Sequence, residues 1–110
     1  MPKFAAFFSY TSESWAGMIG NPGDRAAAVR QLAESLGGSL ESFYWMFGPY
    51  DGFAVFEFPD SVSAAAVSVA VASSGAVKNL ETHELIAPED AGAVLEAAAR
   101  AVGRYSPPGQ

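Results

Sequence analysis

Residues 39–58 read SLESFYWMF, GPYD and GFAVFEF in succession. Aromatic and β-branched enrichment predicts strands over 39–47 and 52–58. The Gly48-Pro49-Tyr50-Asp51 linker between them predicts a tight hairpin. Both alternating sets of side chains are apolar: Tyr44 and Met46 against Phe43, Trp45 and Phe47, then Phe56 and Phe58 against Phe53 and Val55. Successive side chains of a strand point to opposite faces. A sheet built on this hairpin must therefore be covered on both sides, because a fully exposed apolar face exceeds the few hundred Å² that soluble monomers tolerate. A second subunit, a ligand or the last helix of the chain has to supply the second cover, and a homodimer packed sheet to sheet is the leading expectation.

The flanking sequence supplies the rest of the sheet and its helices. KFAAFFSY, residues 3–10, reads as a mostly buried strand. The hydroxyls of Thr11, Ser12 and Ser14 precede Trp15, Met18 and Ile19, whose spacing predicts a short helix ended by Gly20. Asn21 as cap, Pro22 at the first position and Asp24 near the helix start predict a second helix, with Ala26, Val29, Leu32, Ala33 and Leu36 on one stripe and Gly37-Gly38 as its stop. Pro59-Asp60-Ser61 leads into VSAAAVSVAVASS, where alanine content and length favour helix although Val67, Val69 and Val71 alternate as in a strand. Apolar residues surround nearly its whole axis, which predicts cover on more than the sheet side. AVKNLETHELI predicts a fourth strand, and Pro88-Glu89-Asp90 opens a last helix striped by Ala91, Val94, Leu95, Ala98 and Val102. The order is strand, helix, strand, strand, helix, strand, an α+β, ferredoxin-like βαββαβ pattern with a four-stranded antiparallel sheet plus a C-terminal helix. Residues 1–104 are expected to form one domain and 105–110 a flexible tail.

Composition narrows the function classes. Twelve acidic against six basic residues give a net charge of −6, which repels phosphate backbones and anionic membrane surfaces, so neither nucleic acid nor a membrane is an expected partner. No apolar run approaches the roughly 20 residues of a membrane span. Without cysteine there is no disulfide framework, thiolate nucleophile or sulfur-ligated metal. The start MPKF leads directly into a strand pattern with no signal-like segment, and a cytoplasmic protein is expected.

The early YTSESW and the run LAESLGGSLESFYWMFGPYDGFAVFEFPD resemble the GYD-domain family, named for a Gly-Tyr-Asp signature that is spelled Gly48-Pro49-Tyr50-Asp51 in this chain. The resemblance covers residues 2–90, with Leu36-Gly37-Gly38, Tyr44-Trp45, Pro59-Asp60 and Pro88-Glu89 arriving in order. It implies a dimeric α/β barrel of ferredoxin-like subunits and no established activity.

The chemistry-bearing residues are few. His83 is the only histidine, and in E-T-H-E alternation puts Glu81 and His83 on one strand face and Glu84 on the other. Two same-face ligands fall short of the three that a catalytic zinc site usually takes, so no metal is expected. A neutral imidazole makes His83 the candidate catalytic base, oriented by Glu81 or a tyrosine hydroxyl. The commoner role is a hydrogen-bonded or solvated histidine. Tyr10, Tyr44, Trp45 and Tyr50 carry polar tips on apolar bodies and are candidate ligand-binding residues, although core and interface packing is the commoner use of such side chains. Asp51 joins this set, with the alternative that, preceding Gly52, it satisfies backbone donors in the turn. No Gly-rich phosphate loop or G-x-S-x-G elbow is present, and no cofactor is expected. Three readings follow: an oligomeric binding protein holding a small apolar or aromatic ligand against Tyr10, Trp45, Tyr50 and His83; a cofactor-independent oxygenase or isomerase with His83 as base; and an oligomeric scaffold without ligand.

Overall fold

The computed structural model describes all 110 residues. Four strands, β1 (Lys3–Tyr10), β2 (Ser39–Trp45), β3 (Gly52–Glu57) and β4 (Val77–Glu84), form one antiparallel sheet in the order β2-β3-β1-β4. The helices are α1 (Ser12–Gly20), α2 (Arg25–Ser35), α3 (Ser61–Ser73) and α4 (Ala91–Val102), the last preceded by a 3₁₀ turn, Pro88–Asp90. This is the expected ferredoxin-like arrangement, with α2 and α3 as crossovers on one face of the sheet. No helix is long and apolar enough to cross a membrane.

Local chemistry sets the helix boundaries. Thr11 caps α1 by accepting the Ser14 N–H, and Asp60 caps α3 by accepting the Ser63 N–H. That bond holds the exposed Asp60 carboxyl below its ordinary pKa. The cap of α2 is Asp24, which accepts the Ala27 N–H, rather than Asn21. Asn21 instead closes α1, its N–H donated to the Gly17 carbonyl, so Pro22 lies in the connection between helices. Alpha-helix α2 ends where Gly37 takes φ +77°, a conformation that other residues adopt at a cost.

The core lies between the helices and one sheet face. Phe4, Phe8 and Tyr10 of β1 and Ala54 and Phe56 of β3 meet Ala33 of α2 and Ala64 and Val67 of α3, with Phe58 stacked on Phe56. Strand β2 is shorter than the sequence predicts: it stops at Trp45, and Phe47 is fully solvent-exposed in the turn. A register shift between Leu40 and Ser42 lets Leu40 and Phe43, three residues apart, face the same side.

Two expectations about cover are corrected. Alpha-helix α3 buries only Ala64 and Val67, while Val62 and Val69 are exposed, because no second layer lies over it. The last helix does not cover the sheet's second face. The main contact of alpha-helix α4 is with the 3₁₀ turn before it, and its Val94, Leu95 and Val102 are exposed. Its projection explains a radius of gyration of 17.7 Å, against about 13 Å for a compact chain of 100 residues. A 12-residue helix that buries none of its residues is marginal in water.

Candidate functional site

The crossover helices diverge, and a cleft opens between them over the sheet. Alpha-helix α2 contributes Val29 and Leu32, α3 contributes Val67 and Val71, and the floor is Phe8 and Phe56. Fifteen of the 18 lining residues are hydrophobic, and the cavity measures about 110 Å³. The small side chains Ala6, Ala28, Ala54 and Ala64 leave this space unfilled. A second pocket of about 240 Å³ adjoins it, sharing Tyr10, Arg25 and Ala76 and adding Ser14 and Asn21 from α1 and its end. Two polar groups at the exposed rim of the cleft are satisfied: the Ser68 and Thr82 hydroxyls bond each other at 2.8 Å.

Tyr10 is the one predicted ligand-binding residue that lines this cleft. Its ring lies edge-on to Trp15, Trp45 and Phe8, and its hydroxyl accepts the Trp45 Nε1–H at 3.2 Å. Trp45, opposite Gly52 at the end of β2, therefore faces the helix side and closes that end of the core with Trp15. Trp15 was legible in the sequence only as part of a helical stripe.

Asp51 is engaged with the backbone. Its carboxylate accepts the Tyr10 N–H at 2.9 Å, and its own N–H is donated to the Phe8 carbonyl at 2.8 Å. Its carbonyl accepts the Met46 N–H, and the Ser9 hydroxyl donates to the Pro49 carbonyl. The turn of the hairpin is thereby pinned to the end of β1. Gly52 is required there because a Cβ would sit 2.2 Å from the Phe8 ring.

The remaining predicted residues sit on the opposite face of the sheet. Tyr44 pairs with Phe53 across β2 and β3, and its side chain is exposed. Phe7 is the centre of a ring cluster with Tyr50, Phe53 and His83. Alternation placed Glu81 and His83 on one face, and the structure does so: His83 Nε2 lies 3.7 Å from Glu81 Oε2. Glu84 points to the helix side, where it accepts a hydrogen bond from Ser61. The Glu81 carboxylate is the main influence on the Tyr50 phenol: its hydrogen-bonding pull, with desolvation and the carboxylate's charge, raises the Tyr50 pKa above 10.0. His83 is 58% exposed on an edge strand and does not line the cleft. No group of three or more His, Asp or Glu side chains is placed to hold a metal ion. The six predicted residues thus divide among three places: Tyr10 and Trp45 on the helix side, Asp51 in the hairpin clamp, and Tyr44, Tyr50 and His83 on the outer face.

The profile of the GYD domain matches residues 4–95. The chain belongs to the GYD domain family. The match runs five residues past the end of the expected resemblance, into α4. In this GYD domain the signature residues Tyr50 and Asp51 separate in role, Tyr50 turning to the outer face and Asp51 holding the turn. Solved structures share the fold. An FFRP protein superposes with a TM-score of 0.54 at 10% identity, over 78% of this chain and 100% of that one. TTHA0845 from Thermus thermophilus gives 0.52 at 18% identity, over 79% and 95%. The hypothetical protein PHS023 from Pyrococcus horikoshii gives 0.50 at 10% identity, over 82% and 95%. Likeness at these identities shows architecture alone. Among curated proteins none matches the GYD chain significantly.

Proposed function

We propose that this GYD domain binds a small apolar or aromatic molecule in the cleft between α2, α3 and the sheet, as part of a homo-oligomer. The observation that carries the binding reading is the cleft's lining, hydrophobic at 15 of 18 positions around about 110 Å³ of unfilled space. Interiors pack to crystal-like density, so a cavity lined by five alanines and left unfilled is a departure that a ligand would repair. An engineered apolar cavity of about 150 Å³ takes up benzene. The test is a thermal-shift panel of small aromatic and aliphatic compounds on the wild type and Ala28→Phe. Stabilisation by panel members is expected in the wild type and its loss in Ala28→Phe, whose ring fills the cleft from α2. His83→Ala and Tyr50→Phe are expected to keep the wild-type shifts, since neither residue lines the cleft.

The oligomer reading rests on the cover that one chain lacks. Only 13 of 110 residues are buried, few for a chain long enough to enclose a core. Phe7, Phe53, Val55 and Tyr50 remain partly exposed on the outer face. A second copy applied sheet to sheet would cover them isologously. It would also enclose Tyr50, Glu81 and His83, bringing the outer-face residues into the assembly.

A further inference from the structure

The cleft and the pocket beside it share Tyr10, Arg25 and Ala76 in their walls and differ in chemistry. The inner part is apolar. The outer part is lined by Ser14, Asn21 and Arg25 beside Tyr10. Arg25 is the only charged residue among those lining either part, and it lines both. It makes no ion pair within the chain, although twelve carboxylate side chains are available against six basic ones. The nearest acid in sequence, Asp24, is engaged with the Ala27 N–H. An arginine facing an apolar recess in an acidic protein selects against cations and for an anion, and its fork geometry suits a carboxylate.

We infer that the ligand is a small monocarboxylic acid, its apolar body in the cleft over Phe8 and Leu32 and its carboxylate at Arg25. The inference rests on the cleft-binding reading and adds to it the class of molecule. The apolar body supplies affinity by leaving water, and the single charge fixes which end enters first. The Asn21 side chain makes no hydrogen bond within the chain and stands in the same outer pocket as a neutral donor. Larger anions such as nucleotides are disfavoured, because one arginine matches one negative charge while the chain's overall net charge of −6 repels more.

The experiment is calorimetric titration of matched pairs: benzoate and phenylacetate, and straight-chain carboxylates, each against its own alcohol or methyl ester. Wild type and Arg25→Gln are compared. Arg25 is partly exposed at the start of α2, so the variant is expected to keep the wild-type circular dichroism. The acids are expected to bind wild type about tenfold or more tightly than their neutral partners, and that advantage is expected to vanish in Arg25→Gln with the neutral compounds unaffected. Equal binding of acid and neutral partner, or an acid preference that survives in Arg25→Gln, overturns the carboxylate assignment and leaves cleft binding standing. Binding of neither class overturns both.

Discussion

The carboxylate of Asp51 accepts the backbone N–H of Tyr10 across 41 positions of sequence at 2.9 Å. Tyr10 ends β1, and Asp51 sits between β2 and β3, so this bond, with those from Asp51 N–H to Phe8 and from Ser9 to Pro49, fixes the hairpin against the strand that carries the cleft's floor. The family signature is, in this respect, a folding device: it secures a turn whose neighbours, Tyr10 and Trp45, close one end of the core.

Asp51→Ala leaves the Tyr10 N–H without its acceptor and is expected to cost about 1–3 kcal/mol, the range for an unsatisfied buried donor. Asp51→Asn keeps a carbonyl oxygen in the same place and should lose less. Urea denaturation of the two variants measures both, and equal losses would show that charge rather than the acceptor matters.

Gly52→Ala drives a methyl into the Phe8 ring, 2.2 Å away. Overpacking of this kind costs about 1–3 kcal/mol. Pairing it with Phe8→Leu should recover part of the loss, because the ring is the obstacle, and a double-mutant cycle reads the coupling. Strict additivity would place the strain elsewhere.

Glu81 holds the Tyr50 phenol above its ordinary pKa of 10.0. A raised folded-state pKa means that the stabilisation is complete below about pH 10, the unfolded value, and is lost as pH rises through the folded one. Glu81→Gln should bring the Tyr50 titration back toward 10.0 and reduce that alkaline loss, leaving the part that desolvation causes. Ultraviolet titration of phenolate, with Tyr50→Phe to assign the transition, measures it.

How far this could be read from sequence depends on the residue. The element order, the capping by Thr11 and Asp60, and the shared face of Glu81 and His83 follow from local periodicity and were legible. Alternation divides a strand's side chains into two sets without saying which set meets the helices. In β2 the register shift between Leu40 and Ser42 also breaks the count, so Trp45's place beside Tyr10 needed the structure. Arg25 was legible only as a residue off the apolar stripe of α2. Its position at the recess depends on how α2 crosses the sheet, which no local pattern encodes. The last helix, one of three covers the sequence allowed for the second face, does not supply it for a related reason: a correct apolar stripe says that a helix needs a partner, not that the same chain provides it.

Val55 pairs with Ala5 near the middle of the outer face. If that face is the contact between two copies, light scattering at micromolar concentration should give a dimer for the wild type and a monomer for Val55→Lys, which buries a charge at the contact. A wild-type monomer under those conditions would remove the argument that the outer face is covered.

The most direct measurement of cleft binding is methyl-detected NMR of the wild type titrated with phenylacetate. The expected result is saturable shifts at Val29, Leu32, Val67, Val71 and Leu80, which line the cleft, with the Val55 methyls on the outer face unmoved. Shifts confined to Val55 would contradict the account, and so would a titration that moves none of these methyls.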